Sequence, residues 1–303
     1  MKLLASISLM GLLMSPLGAL AADTSTPEAP MNYAADVAVG MSYDGWTNVG
    51  DYNHSPIANV SSFYGTFDGR ALVPLSSNVG VQFDGSMART FDGGDIATWN
   101  NASHMGAHLL YRTDAYQFGV FGGFGVANVH NGGGEEEWQS RIFGIEGQAY
   151  LNNVTLWAQL AKAGSFETSG PSEIFDPIQL RAGSRYFLDA NTRLDVEGGY
   201  ATAPSAGDFA ATASMVNWKV GVEHLFELDS HPVSVFANYT GSKVLDANDV
   251  YYSIGNTETA VNVGFSFKFG PHSLIDEDRH GTNTDMSFSK LPVMDSLYTA
   301  PLP

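Results

Sequence analysis

Between Tyr33 and Gly270, apolar residues recur at every second position. Val216, Trp218, Val220 and Val222 alternate with Asn217, Lys219, Gly221 and Glu223. Val261, Val263, Phe265, Phe267 and Phe269 alternate with Asn262, Gly264, Ser266 and Lys268. A period of two puts successive side chains on opposite faces of a strand, whereas a helix repeats near 3.6. Twelve such runs are predicted, near residues 33–45, 58–73, 79–91, 102–112, 116–130, 140–151, 154–167, 178–188, 192–203, 213–227, 233–245 and 257–269. Helical character is confined to residues 206–214, a turn at most.

The connections alternate in length. Short ones fall at residues 74–78, 113–115, 152–153, 189–191 and 228–232. Longer ones fall at 46–56, 92–101, 131–139, 168–177, 203–212 and 246–256. This predicts an all-β fold: a closed antiparallel up-and-down transmembrane β-barrel of about twelve strands, with short periplasmic turns and longer outer loops. Hydrocarbon offers no water to an open sheet edge, so the first strand must pair with the last. That closure brings Asp36 near Lys268 at the periplasmic rim. A soluble sandwich shows the same alternation turned inside out. It accounts neither for the alternating loop lengths nor for aromatics near strand ends: Tyr43, Trp46, Trp99, Tyr111, Tyr116, Trp138, Tyr150, Tyr186, Tyr200, Tyr251 and Tyr252.

The ends of the chain read differently. Lys2 precedes an apolar stretch over residues 3–14 that is too short for a membrane helix. Pro16 and Gly18 follow, then Ala19-Leu20-Ala21 with small residues at the cleavage positions. Residues 1–21 are therefore expected to be a signal peptide and 22–32 an N-terminal periplasmic segment, with the barrel over 33–270. Residues 271–303 are polar and aperiodic and are expected to form a solvated periplasmic tail, with binding to a periplasmic partner or insertion into the barrel mouth as the alternatives.

Composition narrows the function classes. The chain has 303 residues, 14 Lys+Arg against 32 Asp+Glu, a net charge of −18 and no cysteine. So acidic a chain makes no nucleic-acid partner, because phosphate neutralisation needs a basic face. Disulfides and thiolate metal sites are excluded, and no cofactor or metal is expected. At 12% aromatic residues, wholesale disorder is excluded too.

The last strand, AVNVGFSFKFG, resembles the C-terminal assembly signal of Gram-negative outer-membrane proteins. Two further stretches, SHMGAHLLYRTDAYQFGVFGGFG and GIEGQAYLNNVTLWAQLA, resemble porin-like outer-membrane barrels of alphaproteobacteria. The resemblance implies recognition of Val263, Phe265, Phe267 and Phe269 by the barrel-assembly machinery, although the chain continues to Pro303. It implies a bacterial outer-membrane location and supplies no catalytic residues.

The inward-facing parity carries the candidate chemistry. His104 and His108 are four residues apart, which on a strand is ~13 Å, too far to share a metal. They are expected to line the lumen. A tight turn at Asp189-Ala190-Asn191 sets Leu188 opposite Thr192, Arg185 opposite Asp195 and Gly183 opposite Glu197, with Arg181 diagonal to Glu197. On the hairpin of the second and third strands, Asp68 is expected opposite Asp84, with Arg70 diagonal to it. Such ions brace the wall, or form a charged constriction that governs permeation. Glu135-Glu136-Glu137 is placed in an outer loop, solvated or bridged to lipopolysaccharide through divalent ions. His130 and Ser140 near the rim have no nucleophile motif around them, so no enzyme activity is expected.

The reading is an outer-membrane channel for passive passage of small polar or ionic solutes. Its lining is Asp68, Arg70, Asp84, His104, His108, Glu146, Arg181, Arg185, Asp195, Glu197, Lys219 and Glu223. Its partners are outer-membrane lipid and lipopolysaccharide, the assembly machinery, and small solutes or ions. The alternatives are a sealed structural or surface-interaction barrel and an outer-membrane hydrolase. The predicted outer loops hold acids (Asp51, Asp92, Asp95, Glu135, Glu136, Glu137, Glu173, Asp176, Asp208, Asp246, Asp249) and no Lys or Arg. Such a mouth predicts a weak cation preference that salt screens.

Overall fold

The computed structural model describes residues 31–47, 60–91, 98–131, 134–167, 177–203, 213–228, 231–247 and 257–286. Twelve antiparallel strands form one closed barrel. They are β1 (Ala34–Thr47), β2 (Val60–Pro74), β3 (Val79–Thr90), β4 (Thr98–Arg112), β5 (Tyr116–Asn131), β6 (Gly134–Leu151), β7 (Val154–Glu167), β8 (Ile178–Asp189), β9 (Thr192–Ala203), β10 (Ala213–Leu228), β11 (His231–Ala247) and β12 (Thr257–Phe269). Each strand pairs with its sequence neighbours, and β1 closes on β12 with Asp36 opposite Lys268, as the closure argument requires.

Alternation sorts the two faces. On β12, Phe265 is 53% exposed on the outer face while the next residue, Ser266, is 3% exposed on the inner one. Val263, Phe265, Phe267 and Phe269 all point outward. Elsewhere the exterior is Val, Leu, Ile, Phe, Met and Tyr, and the interior holds Asp, Glu, Arg, Lys, Gln and Ser. This inverts the distribution of a soluble protein and suits a hydrocarbon surround.

Four local expectations are corrected, the first being Asp246, which lies in β11 opposite Ser214 and not in an outer loop. Glu135, Glu136 and Glu137 lie in β6, not in a loop, because β5 and β6 stay paired out to Asn131 opposite Gly134. At the β8–β9 turn the register shifts, so Asp189 and not Leu188 faces Thr192. On β2–β3, Arg70 is directly opposite Asp84, and Asp68 faces Ser86. The turn at residues 75–78 closes two residues away from the assumed register, moving each pair one step along the face. The signal peptide and most loop acids (Asp51, Asp92, Asp95, Glu173, Asp176, Asp208, Asp249), with Tyr251 and Tyr252, lie outside the described residues.

The solvated-tail expectation does not hold for residues 271–286. Gly270 has φ +108°, and an added Cβ there would come within 2.5 Å of the Tyr33 carbonyl. Only glycine adopts that turn without strain, and it sends the chain back under the barrel. Helix α1 (Leu274–His280) follows. Ser273 caps it by accepting from the Asp276 N–H at 3.1 Å, and Asp276 and Glu277 sit in its first turn, with Arg279 and His280 in its last. That charge order suits the helix dipole. Leu274 is fully buried against Phe187 and Leu225, whereas Met31 and Ala34 pack on Leu72 and Leu110 across the same end.

Candidate functional site: the lumen and its plug

Inward residues of the strands form stacked polar layers, and the tail enters among them. The layer nearest the turns is ionic. Asp36 accepts from Arg70 at 2.9 and 2.7 Å. Lys268 bridges Glu223 at 3.1 Å and Glu277 of the tail at 3.0 Å. Arg193 reaches Asp195 at 3.1 Å and Glu223 at 2.7 Å. Burial pushes the Glu277 carboxyl above the usual carboxylate range, reinforced by Asp36 and Glu223 and opposed by Lys268 and Arg70.

Further in, β6, β7 and β8 grip the tail. Arg185 donates to Asp278 at 2.6 Å and to the Asn283 carbonyl. Thr155 also donates to Asp278, at 2.5 Å. Arg181 pairs with Glu197 at 2.7 Å and with Asp285 at 3.4 Å. Both guanidinium groups lie over the Trp157 ring, at 5.2 and 5.9 Å from its centroid. Arg181 thus meets Glu197 diagonally, as expected. Arg185 faces Asp195 in register, but its ion pair goes to the tail and Asp195 turns to Arg193. Tyr150, expected at the membrane interface, points inward instead. Its ring carries Arg279 at 4.6 Å, and its hydroxyl accepts from Asn283 at 3.0 Å.

His108 is a buried hub. Its ring nitrogens stand 2.7 Å from Asp84 and 2.9 Å from Glu146. Gln82 donates to Asp84 at 2.7 Å, and Gln159 donates to Glu146 at 2.9 Å. With both carboxylates ionised, the ring donates from both nitrogens. His104, one layer outward, is bonded to Ser86 at 2.8 Å.

The tail leaves part of the lumen open. A cavity of about 430 Å³ runs beside it, from Asp36, Glu223 and Lys268 to Ser42, Tyr64 and Thr240. Asp36 to Ser42 is six residues of β1, a length of ~20 Å. Of the lining expected from sequence, Asp68, Arg70, Asp84, His104, Arg185, Asp195, Glu197, Lys219 and Glu223 border this cavity. Arg181 borders a second cavity of about 220 Å³. His108 and Glu146 border neither among the described residues, being enclosed by wall and tail. Sequence reasoning missed Gln82, Gln148 and Gln159, and in the tail Glu277, Asp278, Asp285 and Met286. The available signal was glutamine at inward parity on β3, β6 and β7, a residue with little reason to face a dry interior unless something polar fills it.

No family model and no curated protein sequence matches the chain. Among solved structures it is similar to an outer membrane channel from Pseudomonas putida F1, with TM-score 0.53 and 14% identity over 82% of this chain and 99% of that one. The translocator domain of the autotransporter NalP from Neisseria meningitidis aligns with TM-score 0.49 and 12% identity, covering 88% and 98%. A FadL homologue from Pseudomonas aeruginosa gives 0.44 and 9%, covering 78% and 90%. At these identities the likeness is one of fold.

Proposed function

We propose that the chain is a bacterial outer-membrane channel for passive passage of small polar or ionic solutes, narrowed by its own C-terminal tail. The observation that carries this reading is the ≈430 Å³ polar cavity left beside the tail. An exterior of exposed Val, Phe and Leu supports the membrane location, as does the likeness in fold to an outer membrane channel. Lipid and lipopolysaccharide surround the barrel in this reading, and the outward Val263, Phe265, Phe267 and Phe269 present the assembly signal. Acids in the outer loops give a weak cation preference. No catalytic role is assigned. Planar-bilayer recording of the refolded full chain tests the proposal. Discrete conductance steps with a reversal potential favouring cations at low salt are expected; a silent bilayer at all voltages sinks the channel.

A sealed barrel is the second reading. It is favoured by the density of bonds between wall and tail at the end of the lumen nearest the short turns. The same recording separates the two.

A further inference from the structure

Over residues 283–285 the tail is also held through its backbone. Three consecutive carbonyls, those of Asn283, Thr284 and Asp285, each accept from a different strand. Arg185 of β8 donates to the first, Gln82 of β3 to the second at 2.8 Å, and Gln159 of β7 to the third at 2.8 Å. Bonds to carbonyls are indifferent to side chains, so a row of them receives a peptide rather than one sequence.

Selectivity enters at two adjoining positions. Arg181 faces the Asp285 carboxylate. Met286 fills a recess of Phe121, Ile142, Ala161 and Ala163. That recess depends on Gly106 and Gly123, where an added Cβ would lie 1.9 and 2.6 Å from the Met286 methyl.

The donors are also oriented in advance. The Gln82 amide nitrogen bonds Asp84 and the Gln159 amide nitrogen bonds Glu146, and both acids clasp His108. Each amide therefore has one hydrogen on the wall and the other directed at the tail. Such fixing of donors belongs to a built site rather than to accidental packing.

We propose that this row of donors is a binding site for peptides that carry an acidic residue followed by an unbranched apolar one, and that residues 283–286 occupy it as an intramolecular stand-in. The inference rests on the channel reading for access and names a solute class for it. The open cavity adjoins Asn283, Asp285 and Met286, so an incoming peptide meets the site from that side.

The test uses the full chain refolded in detergent. The double variant D285N/M286G weakens the tail and leaves every wall residue intact. The probe is a fluorescein-labelled peptide with the sequence of residues 280–287. Fluorescence anisotropy is expected to show saturable binding at least tenfold tighter to the variant than to the unsubstituted chain. Adding R181A, or using a peptide bearing D285N, weakens it about tenfold. No saturable binding to the variant, or equal binding of the two peptides, overturns the proposal. So does a variant in which the amides of residues 283–286 exchange hydrogen as slowly as in the unsubstituted chain, since the contacts named here would not then be what seats that segment. Anisotropy needs no conduction, so a silent bilayer alongside intact peptide binding would count against the channel alone.

Discussion

Arg185 on β8 and Asp278 on α1 form an ion pair of 2.6 Å between the barrel wall and the tail, with Asp278 wholly buried. The pair joins residues 93 positions apart and gives the tail a fixed depth in the lumen. Removing one partner of such a pair leaves an uncompensated buried charge and costs about 3–5 kcal/mol.

Arg185→Ala is therefore expected to unseat the tail while the barrel stays closed. Trypsin should cut at Arg279 at least tenfold faster, with heat-modifiable gel migration unchanged. Asp278→Asn, which retains a partner for Thr155, should have a smaller effect of the same sign. Equal protection in all three proteins would show that the pair does not seat the tail.

His108→Ala acts on the wall. It leaves Asp84 and Glu146 facing each other across an empty site, and burying like charges without a cation between them is costly. A loss of about 3–5 kcal/mol in urea unfolding, followed by tryptophan fluorescence in detergent, is expected. Replacing both acids together with His108 by Gln, Gln and Phe should recover much of it. A single variant as stable as the parent would remove His108 from the role of hub.

Met286→Ala empties the recess behind Gly106. Large-to-small changes at buried sites cost about 2–5 kcal/mol, here charged to docking of the tail and not to the barrel. Gly106→Ala attacks the same contact from the wall, and its Cβ would also press on the Gly122 carbonyl at 2.6 Å. Both variants should speed hydrogen exchange of residues 282–286, Gly106→Ala the more. Unchanged exchange in both would show that the recess does not anchor the tail.

Seating of the tail should depend on pH through Glu277. Its carboxyl is raised by burial. The charged groups facing it are Asp36 of β1, Arg70 of β2, Glu223 of β10 and Lys268 of β12. A carboxyl raised in the folded state binds its proton more readily there than in the released tail. Its contribution is fully present below the unfolded value, about 4.3, and is lost as pH rises through the folded one. Exchange protection of α1, corrected for intrinsic rates, should thus fall from mildly acidic to alkaline pH, and Glu277→Gln should flatten the dependence. Protection that rises with pH in the parent would reverse the assignment.

The barrel was legible because each strand repeats one local rule: Phe265 out, Ser266 in, Phe267 out. Closure followed from the need to satisfy both edges, which is why Asp36 could be placed near Lys268 from the order of the strands alone. The tail was not legible because its partners are far apart in sequence. Nothing local in Asp278 points to Arg185, and a short polar helix with Pro271 before it reads as a solvated end. The turn at residues 75–78 shows a second limit. Parity put Arg70, Asp68 and Asp84 on one face correctly, but which of them meet depends on turn geometry that composition does not set. Two lumen charges, Asp68 and Lys219, were placed by parity alone, and the structure sets both at the open cavity.

Asp36 on β1 and Thr155 on β7 stand half a circumference apart in a ring of twelve staves. The tail touches both, through Thr282 at 2.8 Å and Asp278 at 2.5 Å. Ladder bonds join only adjacent staves, so they resist sliding and tearing but oppose flattening weakly. Thr282 and Asp278 act as spokes across that hoop. With the spokes in place, lateral pressure from the bilayer works against a cross-tied ring; with them withdrawn, the same wall is free to become oval.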